Sequence, residues 1–215
     1  GIPYQIFPVI ALCCNIIVVS GNCFNYIRAG NINIRLLTPY LTSSIPLAFI
    51  GGSLSIEKDV FEILLFIVLT LAGILLLLKF QSFDETKKNY KKIPKIISFL
   101  IGGIIGFISG VVGIGGGIFL SPVLLLIKAG QAKHIATTAS LFILINSIAG
   151  VAGQFTKDFI LIEIVNYWLL FLIVFLGGQL GNFLNLKILP GRILVLITSA
   201  LVIFVATRMG FKLFV

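Results

Sequence analysis

Residues 109–122, Ser-Gly-Val-Val-Gly-Ile-Gly-Gly-Gly-Ile-Phe-Leu-Ser-Pro, could hold a negatively charged ligand without any charged side chain. Gly113, Gly115, Gly116 and Gly117 crowd a short stretch, and adjacent glycines weaken a continuous helix because they carry the most backbone entropy. Ser121-Pro122 can restart a helix, since proline is tolerated in a first turn. A break there frees the backbone N–H groups of Ile114 through Gly117 to face an oxyanion at a new helix N-terminus. The other polar residues in apolar surroundings are few: Thr137, Thr138, Ser140, Asn146, Ser147 and Gln154 in one stretch, and Asn15, Ser20, Asn22 and Asn25 in another. Ser and Thr in a helix usually bond their own backbone, whereas amides are costlier to bury unpaired. Asn22, Asn25, Asn146 and Gln154 are therefore the stronger ligand candidates, with Ser121, Thr138 and Ser140 behind them. The competing reading is that these amides only link helices. The chemistry implied is reversible binding of an anion.

Bond-making chemistry is not supported by the sequence. No Asp, Glu, His, Lys or Arg falls in the middle of an apolar segment, which leaves no paired carboxylates and no ligand cluster for a metal. His134 stands alone in a short loop. Cys13, Cys14 and Cys23 share the first apolar segment without metal-ligand spacing and read as small packing residues. The expectation is a non-enzyme with no cofactor and no metal.

The elements that must position these residues follow from composition. Of 215 residues, 59% are apolar and 11% charged, against roughly half and a quarter in a soluble domain. The apolar runs are too long and too many for a soluble core or a single anchor, so the chain reads as an all-α polytopic membrane protein. Seven hydrophobic segments can be drawn, at about 6–27, 36–55, 60–78, 96–127, 135–155, 160–186 and 190–208. The fourth exceeds the roughly 20 residues that cross a bilayer, so it must be a glycine-broken or a re-entrant helix. Gly102, Gly106 and Gly110, spaced by four, form a small-residue stripe that lets helices approach closely.

The net charge of +9 lies mostly in short loops, which points to membrane orientation rather than to nucleic acid. Residues 79–95 hold six lysines against Asp84 and Glu85. This basic linker is expected on the cytoplasmic side of the cell membrane, with contact to anionic lipid as a weaker reading. A single broken crossing by 96–127 puts 11 of the 16 Lys and Arg on the linker's side, and a re-entrant one puts 12 there. Charge counting does not separate the two.

The sequence also repeats. Asn25-Tyr26 resembles Gln154-Phe155, and Ile45 through Leu54 resembles Leu172 through Leu180, each with a Gly-Gly pair before a charged loop and a last apolar span. Two homologous helical repeats are expected, 1–78 and 96–215, joined by the linker 79–95. The first lacks an N-terminal glycine-rich element, so the chain is expected to be N-terminally truncated. Internal duplication is the usual plan of secondary transporters, with the substrate site at the repeat interface near the bilayer midplane. Asn25 and Gln154 are then expected to converge on one cavity.

Residues 106–117 with Ser121-Pro122, Ala136 through Leu141, Asn25-Tyr26, Gly30, Arg35 and Pro46 through Gly52 together resemble the sulfite exporter TauE/SafE family of membrane permeases. The resemblance implies transport of small sulfur-containing anions such as sulfite or organosulfonates, with a proton or sodium as the coupling ion. Ala139, which interrupts a Thr-Ser pairing usual in the family, is a departure. The alternative function is a non-transporting membrane assembly or scaffold protein using the same helices for packing.

Overall fold

The fold is that of a computed structural model, which describes residues 3–28, 30, 32–81, 93–157, 167–187 and 191–214. Most of the basic linker and the start of the segment drawn at 160–186 lie outside these residues. Among the described residues there are eight helices and no strand: α1 (Phe7–Arg28), α2 (Ile34–Ser53), α3 (Lys58–Gln81), α4 (Lys95–Val112), α5 (Gly117–Leu126), α6 (Ala132–Gln154), α7 (Trp168–Lys187) and α8 (Gly191–Phe214). Four contain stretches long and apolar enough to cross a bilayer: Phe7–Arg28, Lys58–Leu77, Lys95–Val112 and His134–Gln154. The chain is a multi-pass membrane protein.

The centre of the bundle is α2, which packs against both α4 and α6. A helix that touches two others closely needs small residues, and here the small residues are on all three. A Cβ built on Gly102 would clash with the Tyr40 carbonyl oxygen, one on Gly106 would lie 2.6 Å from Ser44 Cα, and one on Gly110 would clash with the Ala48 carbonyl. These pairs ascend together in sequence, so α2 and α4 run parallel. The stripe read from the sequence thus brings two backbones together, as dispersion packing between membrane helices requires. The hydroxyl of Ser43 donates to the Phe99 carbonyl at 2.6 Å and ties the middle of α2 to the first half of α4. Asn33 caps α2, its Oδ1 accepting from the Leu36 N–H at 3.1 Å. Behind this centre α3 packs on α8, with Lys212 donating to Glu62 at 3.0 Å, and α1 packs on α6 and α7.

The long segment 96–127 re-enters. α4, 18 residues and about 27 Å long, ends at Val112. The chain then turns, and a Cβ on Gly116 would lie 2.7 Å from Ile105 and 3.5 Å from Ser109, both on α4. Leu120 and Leu124 of α5 continue downward into a core with Leu37, Tyr40, Ile105, Ile135 and Phe142. This descent returns the chain to the end where α2 and α4 begin, and α6 starts from there.

Candidate functional site

The turn between α4 and α5 is made by three glycines in the left-handed region: Gly113 (φ 86), Gly115 (φ 76) and Gly116 (φ 74). Each would strain with a Cβ present. Gly113 closes α4, its N–H donating to the Ser109 carbonyl at 2.8 Å. Gly116 caps α5, its carbonyl accepting from Phe119 at 3.2 Å and Leu120 at 3.1 Å. The space is tight as well: a Cβ on Gly113 would lie 2.5 Å from Pro8 Cα at the start of α1.

The N–H groups of Ile114, Gly115, Gly116 and Gly117 have no protein acceptor among the described residues. Those of Gly116 and Gly117 are orphan donors at the N-terminus of α5, those of Ile114 and Gly115 belong to the turn before it, and Gly115 through Gly117 are buried. Polar side chains surround them. A Cβ on Gly115 would lie 2.8 Å from Asn15 Nδ2 and 3.1 Å from Ser147 Oγ, and Asn15 Nδ2 donates to the Gly113 carbonyl at 3.3 Å. Ser109 and Ser147 are at most 1% exposed, and their hydroxyls have no partner among the described residues. Asn146, next to Ser147, is fully buried. Its Nδ2 donates to the Phe142 carbonyl at 2.9 Å, and its Oδ1 is unpaired. Most buried polar groups in proteins are satisfied. The cluster of donors and hydroxyls left unsatisfied around one turn is therefore ready for a ligand that accepts hydrogen bonds.

The sequence expectations divide here. Gly113, Ile114, Gly115, Gly116 and Gly117 do form a turn, and Asn146 lies beside Ser147, which reaches it. Thr138 is buried without a partner, two helical turns before Asn146 on α6. Ser140 is half-buried on the same helix, and Ser121 is half-buried in α5 with an interaction of its own. Asn22 is half-buried on α1. Asn25 and Gln154 do not meet, which corrects the expectation of a shared cavity. Leu12 lies against Gly150, and Asn15 and Ser147 share the space over Gly115, so α1 and α6 run antiparallel and these two residues sit at opposite ends. Asn25 is exposed. Gln154 is buried and committed, its Nε2 donating to the Gly110 carbonyl at 3.3 Å and its Oε1 accepting from Lys157 at 2.9 Å.

Three residues that complete the cluster were not among the ligand candidates read from the sequence: Asn15 and Ser147, noted only as polar residues of apolar stretches, and Ser109, noted only within the glycine motif. Each stood in an apolar stretch or in the glycine motif, but nothing local said that α1, α4 and α6 would aim them at one turn.

Comparison with known proteins gives a family and relatives. The model of the family described as sulfite exporter TauE/SafE matches residues 1–209. "Probable membrane transporter protein y4hK" of Sinorhizobium fredii is 29% identical over 200 residues, covering 93% of this chain and 80% of that protein. "Probable membrane transporter protein MJ0441" of Methanocaldococcus jannaschii is 25% identical over 189 residues, covering 83% of this chain and 69% of that protein. No solved structure matches the chain.

Proposed function

The chain belongs to the sulfite exporter TauE/SafE family, and from that premise we propose that it is a permease moving small sulfur-containing oxyanions, such as sulfite or organosulfonates, across the cytoplasmic membrane. That it is a membrane transporter rather than an enzyme follows from the family and from the names of its relatives. The oxyanion reading is carried by one observation: four N–H groups without acceptors among the described residues, in the turn and at the start of α5, ringed by the hydroxyls of Ser109 and Ser147 that are likewise unpaired there. A helix N-terminus favours negative charge through its dipole and its free donors. A tetrahedral or pyramidal oxyanion has several acceptor oxygens for those donors. Binding by neutral donors alone also suits a transporter, because an ion held by full countercharges leaves slowly.

The site is closed in this structure, with Asn15 of α1 bonded to the Gly113 carbonyl. Access requires α1 to part from the turn. The glycine-packed unit of α2, α4 and α6 is the natural rigid body for such a motion. The two-repeat reading fits the packing: α1 lies on α6 and α3 on α8, while α2 meets α6 and α7 meets α1. The end carrying Arg35, Lys95 and Lys128 faces the cytoplasm in this reading, as the positive-inside rule requires.

The test is uptake and efflux of sulfite, an organosulfonate and sulfate by the parent and by Ser147→Ala. The Ser147 hydroxyl has no protein partner, so its removal should leave thermal stability unchanged or slightly raised. Substrate affinity should fall by about 1.5–3 kcal/mol, the worth of a hydrogen bond to a charged group. Unaltered affinity removes the turn from the substrate path, and movement of none of the three anions removes the substrate class.

A further inference from the structure

A groove of about 500 Å³ lies on the outside of the bundle between α2 and α4, lined by Arg35, Thr38, Pro39, Thr42, Lys95 and Phe99. It is separate from the glycine turn, at the end where both helices begin. The parallel packing puts the two helix starts at one level, with Arg35 the second residue of α2 and Lys95 the first of α4. Cations at helix N-termini oppose the helix dipole. Elsewhere this is offset: Lys58 opens α3 with Asp59 beside it in the first turn. In α2 and α4 the first turns contain no acidic residue, and neither Arg35 nor Lys95 has a carboxylate partner among the described residues. Two cations and two positive dipole ends are thus gathered around one groove with no carboxylate partner among the described residues.

The rest of the groove is apolar in effect. The Thr38 hydroxyl donates to the Ile34 carbonyl at 2.6 Å and the Thr42 hydroxyl to the Pro39 carbonyl at 3.2 Å, so these side chains have no hydrogen left to donate into the groove. Pro39 and the half-exposed ring of Phe99 continue the wall. The Ser43 bond to the Phe99 carbonyl holds the two sides together. A site that is cationic at the membrane surface and apolar along its depth matches an amphipathic anion.

The geometry points to a bound anionic phospholipid, its phosphodiester between Arg35 and Lys95 and one acyl chain along Thr38, Thr42 and Phe99. Charge complementarity selects the headgroup, and the apolar floor selects a lipid over a free phosphate. Basic grooves between membrane helices are suited to such headgroups. The lipid would brace α2 against α4, the contact on which the glycine turn is built.

The test titrates the intact purified chain, in neutral detergent, with phosphatidylglycerol, phosphatidylcholine or inorganic phosphate, and counts bound lipid by native mass spectrometry. Phosphatidylglycerol should bind at least about tenfold more tightly than phosphatidylcholine, and the double variant R35Q/K95Q should lose about thirtyfold, the effect of two basic residues near an anionic surface. Lys95→Gln alone should lose about fivefold on the same basis. Thr42→Phe, which fills the groove and leaves both charges, should also weaken phosphatidylglycerol binding. Equal binding of the two lipids, or undiminished phosphatidylglycerol binding in the charge variants, overturns the site. Displacement of phosphatidylglycerol by an equal concentration of inorganic phosphate overturns the lipid in favour of a free anion.

Discussion

Two Gly-Gly pairs that look alike in sequence sit in opposite surroundings. Gly51 and Gly52 of α2 are pressed between neighbours: a Cβ on the first would meet the Phe107 carbonyl of α4, and one on the second the Gly150 carbonyl of α6. In α7, a Cβ on Gly177 would meet nothing within 4 Å among the described residues, and one on Gly178 would lie 3.1 Å from the Val18 side chain of α1. The same residues therefore serve close backbone approach in α2, whereas in α7 one faces open space and the other only a neighbouring side chain. Glycine in a membrane helix marks a contact only where the fold supplies a partner.

The largest expected effect breaks this comparison at its centre. Gly52→Ala puts a methyl against a backbone carbonyl that cannot rotate away, and should destabilise by about 3 kcal/mol or more. Gly177→Ala fills open space and replaces a poor helix former, so it should be neutral or stabilise by about 0.5–1 kcal/mol. Thermal unfolding of the two purified variants checks the opposite signs; a shared sign would mean the two pairs have equivalent surroundings.

A glycine held by conformation as well as by packing should behave differently from both. Gly116 has φ 74, and its nearest obstacles are core side chains rather than backbone, with a Cβ there 2.7 Å from Ile105 Cγ2 and 2.9 Å from Phe142 Cε1. Gly116→Ala should therefore cost about 2 kcal/mol or more, from the left-handed backbone together with the crowding of Ile105 and Phe142. It should also lower transport at least about tenfold, equivalent to ~1.4 kcal/mol, because the N–H groups are re-aimed. Transport assayed at equal membrane abundance checks this, and a parent-like rate would separate the turn's geometry from function.

The smallest effect sharpens the comparison at the far ends of α2 and α6. Lys157 donates to the Leu54 carbonyl at 2.8 Å and to Gln154, and partial burial holds its ammonium below the ordinary lysine value of 10.5. The unfolded chain keeps this proton to higher pH, so stability should rise with pH from the lowered pKa up to about 10.5. Lys157→Met should abolish that rise and, below it, cost no more than about 1 kcal/mol, since the ammonium is partly screened by water. Unfolding temperatures across alkaline pH for parent and variant read both.

Much of this was legible in the sequence. The apolar composition required a helical membrane protein, and the density of glycine at 113–117 required a break in a segment too long for one crossing. The stripe Gly102, Gly106, Gly110 announced a close helix contact. These are local properties: hydropathy, backbone entropy and helical spacing act within one segment. The tertiary structure alone decided that the chain doubles back after Val112, because charge counts of 11 and 12 leave both paths open. It alone separated Asn25 from Gln154, since similar positions in antiparallel helices end up at opposite ends. It alone brought Asn15, Ser109 and Ser147 together, because which face of one helix meets which neighbour depends on helix direction and rotation, and no single segment carries that information.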